Sequence, residues 1–320
     1  MTTLPEDAFD GLSNLQTLDL RYGELTALPE DAFHGLSNLQ TLDLGYNDLT
    51  ALPEDVFDGL SNLQTLILDD NELTTALPED VFNGLSSLQT LNLADVFHRG
   101  YTWKTWHLEG IDVTALPEDL FDGLSSLQTL DLGHNGLRTL PEDAFDGLSS
   151  LQTLMLESND LTELPEDVFD DLSSLQTLML ESNDLTELPE DVFDGLSSLQ
   201  SLDLSHNYLT ELTEEIFDDL SSLESLDLRF SRLSELSAGY FDGLTNLQEL
   251  DLSNSGLATL SHSVFSGLNN LQELNLSQND LTTLSAEMFN DLPQLRKLDL
   301  SDNPGSPFGL NLRSGIWVVE

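Results

Sequence analysis

The sequence predicts an α/β-type solenoid. Each turn contributes one short strand to a curved parallel sheet on the concave face, and the convex side is mostly turns and irregular or 3-10 segments. Three observations lead there. Leu-x-x-Leu-x-Leu recurs with a period of 24 residues, starting at Leu15, Leu39, Leu63, Leu88, Leu127, Leu151, Leu175, Leu199, Leu223, Leu247, Leu271 and Leu295. A fixed period of this length marks stacked repeats rather than a globule around one centre. The Leu-x-Leu alternation has period two, the sign of a strand with one buried face. Leu-Pro-x-x-x-Phe-x-x-Leu then closes each copy, as in Leu52-Pro53-Glu-Asp-Val-Phe57-Asp-Gly-Leu60, and leaves too few residues for a long helix.

The strand comes first in each repeat. Leu18 and Leu20 are expected to point inward, and Thr17, Asp19 and Arg21 outward. One such strand cannot bury its face alone, so copies stack at about 4.8 Å per step and share one long core. The turn follows. Asn47, Asn71, Asn135, Asn159, Asn183, Asn207, Asn279 and Asn303 form a column there. A side-chain amide at that point can satisfy backbone groups that leave the sheet. Gly23, Ile111, Ser231 and Ser255 interrupt the column, and irregularity is expected at each. On the far side lie Phe9, Phe33, Phe57, Phe82, Phe121, Phe145, Phe169, Phe193, Phe217, Phe241, Phe265 and Phe289, twelve of the fifteen Phe. They read as a stacked core spine. Pro in the Leu-Pro-Glu-Asp text fixes φ and blocks a further ladder.

Residues 1–14 read as a partial repeat, 15–300 as the solenoid with about twelve strands and 301–320 as a flank. The alternating apolar residues around Ile316 and Trp317 suit a capping strand or the start of a following domain. The text begins in mid-repeat, as a piece of a longer chain or one that has lost an upstream cap would. Residues 148–170 and 172–194 are identical, as a tandem duplication would leave them.

The formal charge is −50, from 59 acids against 9 bases. Much of it lies in the Pro-Glu-Asp text and is read as a solvated convex face. Such a surface repels nucleic-acid phosphates and anionic membranes. No stretch is apolar for 18 residues, so membrane insertion is not expected. The chain has no Cys.

These repeats closely resemble the leucine-rich repeat family, in the 24-residue form of Toll-like and variable lymphocyte receptors. The resemblance implies a horseshoe that binds other molecules on its concave face, outside the cell or at its surface. Asn303-Pro304 resembles the C-terminal flank of such proteins, but their cap cysteines are missing. That departure points to a bacterial or environmental source.

The outward strand positions can be read directly. The middle position runs from acidic, through Asp131, to apolar at Met155 and Met179, then back to acidic at Asp203, Asp227 and Asp251. Two charges about 4.8 Å apart repel by about 0.9 kcal/mol even in bulk water, so this row invites a basic partner or Ca²⁺. A flat row alone does not supply the six to eight oxygens of a calcium site. The Thr column resembles ice-binding ladders, but the alternating Asp argues against that use.

The period is interrupted by a long insertion between Leu88 and Leu127, which are 39 residues apart instead of 24. The added text is expected as a loop over 94–112, rich in aromatics and bases: Phe97, Arg99, Tyr101, Trp103, Lys104, Trp106 and His107. Insertions in solenoids map to loops on one face, often the binding face. His98, His107 and His134 carry no second-shell pattern for a metal. No nucleophile, phosphate loop or paired catalytic carboxylate stands out. The expected function is therefore non-enzymatic recognition of a protein, basic in character, through the concave sheet and this loop, with no cofactor. Polysaccharide binding by the loop aromatics is the first alternative, and a structural or engineered array without a ligand the second. Weak self-association is expected from the open repeat before Leu15.

Overall fold

The structure is a computed structural model that describes residues 2–5, 7–97, 114–290, 292–306, 308–312 and 314–319. The chain forms two compact units, Met1–Leu161 and Thr162–Glu320. Both are built from the same repeat. In the first, parallel strands Thr17–Asp19, Thr41–Asp43, Thr65–Ile67, Thr90–Asn92, Thr129–Asp131 and Thr153–Met155 pair in sequence order. In the second, Thr177–Met179, Ser201–Asp203, Ser225–Asp227, Glu249–Asp251, Glu273–Asn275 and Lys297–Asp299 do the same. Trp317–Val319 adds a further parallel strand beside Lys297–Asp299. Among the described residues the only helix is one turn, Glu287–Asn290. None is long and apolar enough to cross a membrane.

From the second repeat on, the strand leucines are buried almost completely, whereas Leu15, Leu18 and Leu20 of the first are half-buried. Leu42, Leu44 and Leu49 are fully buried, as are their counterparts Leu154, Leu156 and Leu161. Burying one such side chain contributes about 1.5–3 kcal/mol, which is why a three-residue strand can be held in place. The Phe column is the expected spine. Successive rings stack with centroids 6.2 Å apart from Phe9 through Phe82, and 6.3–6.4 Å apart from Phe169 through Phe289. Opposite the sheet, tight turns replace helices. Ala32 N donates to Pro29 O, His34 N to Asp31 O and Leu36 N to Phe33 O, all three-residue steps.

The Asn column does what its chemistry predicts. Asn47 Nδ2 donates to Leu44 O at 2.8 Å and reaches Leu20 O at 3.1 Å, while its Oδ1 accepts from Leu25 N. Asn47 thus ties its own turn to the preceding one, as do Asn71, Asn135, Asn159, Asn207, Asn279 and Asn303. Where the column lapses, other groups serve. The Ser231 hydroxyl donates to Leu228 O, and the Ser255 hydroxyl donates to the same carbonyl at 3.0 Å. Short second ladders lie near the substituted turns: Thr2–Thr3 with Leu25–Ala27, and Glu235–Leu236 with Thr259–Leu260.

The insertion corrects two expectations. The repeat does not leave its path after Leu93. Asp70 N donates to Ala94 O and Leu73 N to Val96 O, while Asp95 N donates to Gly133 O. Val96 therefore stands at the Asn position of its repeat, and Ile111 lies outside the described residues. A backbone carbonyl replaces the missing amide oxygen. Asn135 reaches across the gap, accepting from Val96 N at 3.0 Å and Phe97 N at 3.2 Å.

Candidate functional site

The exposed sheet face is built by the strand residues between the buried leucines. The register puts Asp203, Asp227 and Asp251 directly beside one another, and places Met179 next to Asp203. In the first unit Met155 stands beside Asp131, and Asp19 beside Asp43. All of these except Asp19, which is exposed, and Asp43, which is buried, are half-buried.

The second unit carries a shallow depression of about 170 Å³ over this face. Asp227, Glu249, Asp251, Glu273, Asn275 and Lys297 line it. Its charges are only partly balanced. Lys297 Nζ lies 2.9 Å from Glu273 Oε2, and Arg229 Nε 3.2 Å from Asp227 Oδ2. That Nε makes no aligned hydrogen bond, so the second pair is Coulombic. Asp203 and Asp251 are capped by the amides of Ser205 and Ser253, each at 2.9 Å. Burial pushes the Asp227 carboxyl up to about 6, and repulsion from Asp203 and Asp251 adds to it. The Arg229 amide and guanidinium pull the other way and do not win. Burial likewise raises Asp131, against the Gly133 amide and His134. A face that holds carboxylates this reluctantly can accept cations or protons.

The expected loop residues fare differently. Phe97 is not a binding residue on a loop. It is 2% exposed and bridges Leu73 in parallel, in the core. The reason is the backbone path just described, which keeps 94–97 in the stack. Arg99, Tyr101, Trp103, Lys104, Trp106 and His107 lie outside the described residues, as does His98. Among the described residues no group of three or more His, Cys, Asp or Glu could hold a metal ion.

Sequence reasoning missed the turn that follows each strand. The second residue after the third leucine is left-handed in all twelve repeats, with φ from 50° to 61°. Tyr22, Tyr46, His206 and Phe230 are among them. Tyr22 stacks on Tyr46 with centroids 4.8 Å apart, and His206 on Phe230 at 4.1 Å. Arg232 lies over the Tyr208 ring at 4.3 Å. Tyr22, Tyr46, Tyr208 and Phe230 are all exposed, from 41% to 69%. A column-by-column reading of the turn, rather than of the strand, would have found them.

A profile described as leucine rich repeat matches residues 1–49, 37–95, 107–161, 149–209, 197–257 and 245–304. No curated protein sequence matches. Among solved structures, a leucine-rich repeat protein of Leptospira interrogans is 34% identical, with a TM-score of 0.70 over 96% of this chain and 77% of that one. Toll, from the Drosophila Toll–Spatzle complex, is 27% identical with a TM-score of 0.78. There the match covers 94% of this chain but only 38% of that one. A chain of the LRIM1/APL1C complex shares the fold, with a TM-score of 0.74 at 23% identity over 95% of this chain and 51% of that one. With the repeat profile matched along most of its length and the same columns filled in the structure, the chain belongs to the leucine-rich repeat family.

Proposed function

We propose that this chain is a non-enzymatic recognition module, extracellular or at a cell surface, that binds a basic protein partner on its exposed sheet face. Leucine-rich repeat proteins are generally protein-interaction modules. The observation that carries the basic partner is the in-register row Asp203, Asp227 and Asp251, served by one arginine. A cation brought to that row relieves repulsion that the fold otherwise carries, so its binding is favoured electrostatically. The remainder of the expected 94–112 loop supplies the second element of the proposal, with Trp103 and Trp106 as aromatic anchors of the kind that dominate interfaces.

The test uses a deca-arginine peptide as probe and the full chain. Charge reversal at Asp203 and Asp251 is expected to weaken binding at least about tenfold, or about 1.4 kcal/mol. Reversal at the exposed turn residues Asp218 and Asp242 is expected to change it less than about twofold, a slight shift on the same scale. Equal losses from both pairs would mean unspecific attraction to an acidic protein and would end the reading. Against a protein ligand, Trp103→Ala with Trp106→Ala is expected to cost a similar tenfold. Undiminished affinity in that folded double variant would leave the sheet as the whole site.

A further inference from the structure

Twelve turns place a residue in the left-handed region, where side chains beyond glycine are disfavoured. Ser158, Ser182, Asn254, Gln278 and Asp302 show that a small or polar residue suffices to make this turn. Phe230 occupies the same position at φ 57°, is 41% exposed and packs its ring on His206. It is one of three Phe outside the core column, and its ring gains little burial for a conformation that bulky residues avoid. An exposed outlier of this sort points to function rather than stability. Two residues from each end of this stacked pair lie Tyr208 and Arg232, themselves joined face to guanidinium. The ledge so formed begins three residues beyond Asp203 and Asp227, at the end of the same two strands.

Resting on the basic-partner reading above, we propose that His206, Tyr208, Phe230 and Arg232 form an anchoring ledge for an aromatic side chain of that partner. The partner is an extended segment with basic residues over the Asp row and an aromatic residue two or three positions away. The ledge lies in the turn that directly follows the two strand ends, which sets that spacing. The charge pattern selects a peptide over a neutral sugar: the row beside the ledge is anionic, and a sugar would leave it unpaired. Aromatic side chains on a rigid ledge are the common core of such interfaces.

Two synthetic peptides test it on the full chain. Both alternate Arg and Gly over nine residues, and one carries Trp at its centre. The Trp peptide is expected to bind at least about fivefold tighter than its Gly counterpart, about 1 kcal/mol by the same conversion. Phe230→Asn is expected to erase that preference while leaving the affinity for the Gly peptide and the melting temperature no lower. Asn suits the left-handed turn, so a drop in melting temperature would show the ring to be structural and overturn the proposal. Persistence of the Trp preference in Phe230→Asn would overturn it too, leaving the Asp row intact as a site. Failure of wild type to bind either peptide would sink the basic-partner reading itself. Tight binding of chitohexaose, lost in Phe230→Asn, would assign the ledge to sugar instead.

Discussion

Asp19-Leu-Arg21-Tyr22 in the first unit and Asp227-Leu-Arg229-Phe230 in the second are nearly the same text, and they behave oppositely. In both, an arginine two residues on reaches back to the aspartate, and an aromatic residue takes the left-handed turn. Asp19 is half exposed, and Arg21 forms an aligned pair with it at 2.7 Å while also reaching Asp43 at 3.1 Å. The Arg21 hydrogen bond holds the Asp19 carboxyl down at about 2. Asp227 is 22% exposed and flanked on both sides by aspartates, with its arginine out of alignment. Its carboxyl rises to about 6. One arginine next to a solvated carboxylate stabilises the charge. The same residue beside three stacked, half-buried carboxylates does not offset their desolvation.

The largest effect expected from this difference is at Asp227. Its folded value lies above the ordinary carboxylate, so its protonated form stabilises the fold below about pH 4, and that contribution is lost as pH rises through about 6. The shift corresponds to about 3 kcal/mol. Asp227→Asn mimics the protonated form, and the lost Arg229 attraction is already contained in that net shift. The variant is therefore expected to be up to about 3 kcal/mol more stable than wild type at pH 7, with the gain shrinking to near zero at pH 4. Urea unfolding at both pH values measures it, and a gain that does not depend on pH would break the comparison.

A smaller effect separates the two arginines. Arg229→Gln removes the cation nearest Asp227 and is expected to cost about 1–2 kcal/mol at pH 7, vanishing on acidification. Arg21→Gln, in an exposed pair that solvent screens, is expected to cost less than Arg229→Gln. Parallel melts of the two variants would show the order, and a reversed order would mean that exposure does not decide the matter.

Much of the fold was legible because repetition writes each structural role many times. The Leu columns gave the strands, the Phe column gave the spine and the Asn column gave the turn bonds, all as observed. The Val96 turn was not legible, because its substitute for an amide oxygen is a backbone carbonyl, which no side-chain letter reports. That is also why Phe97 read as loop when it is core. The site was less legible than the fold. Asp203, Asp227 and Asp251 could be aligned from their spacing alone, but nothing in the letters distinguishes the solvated Asp19 from the half-buried Asp227. The ring ledge was hidden for another reason: its column also holds Ser, Asn, Gln and Asp, so the letters show a mixed turn position, and only the positive φ shows that the rings are placed against a backbone preference.

The amide that caps Leu25 belongs to Asn47, and the amide that caps Leu49 belongs to Asn71. A turn followed by an Asn-bearing repeat therefore borrows its completion from its successor, so the smallest heritable unit is a phase, not a boundary. A whole number of periods can be copied from any starting point and the borrowing still closes. The identical texts 148–170 and 172–194 are what such copying leaves. Even an added stretch is tolerated if its two ends return to phase, as Asn135 does by serving Val96 across 39 residues of sequence. The array can thus lengthen, shorten or accept a foreign segment without redesigning its interior, and new binding chemistry can be tried on its surface while the architecture stays unchanged.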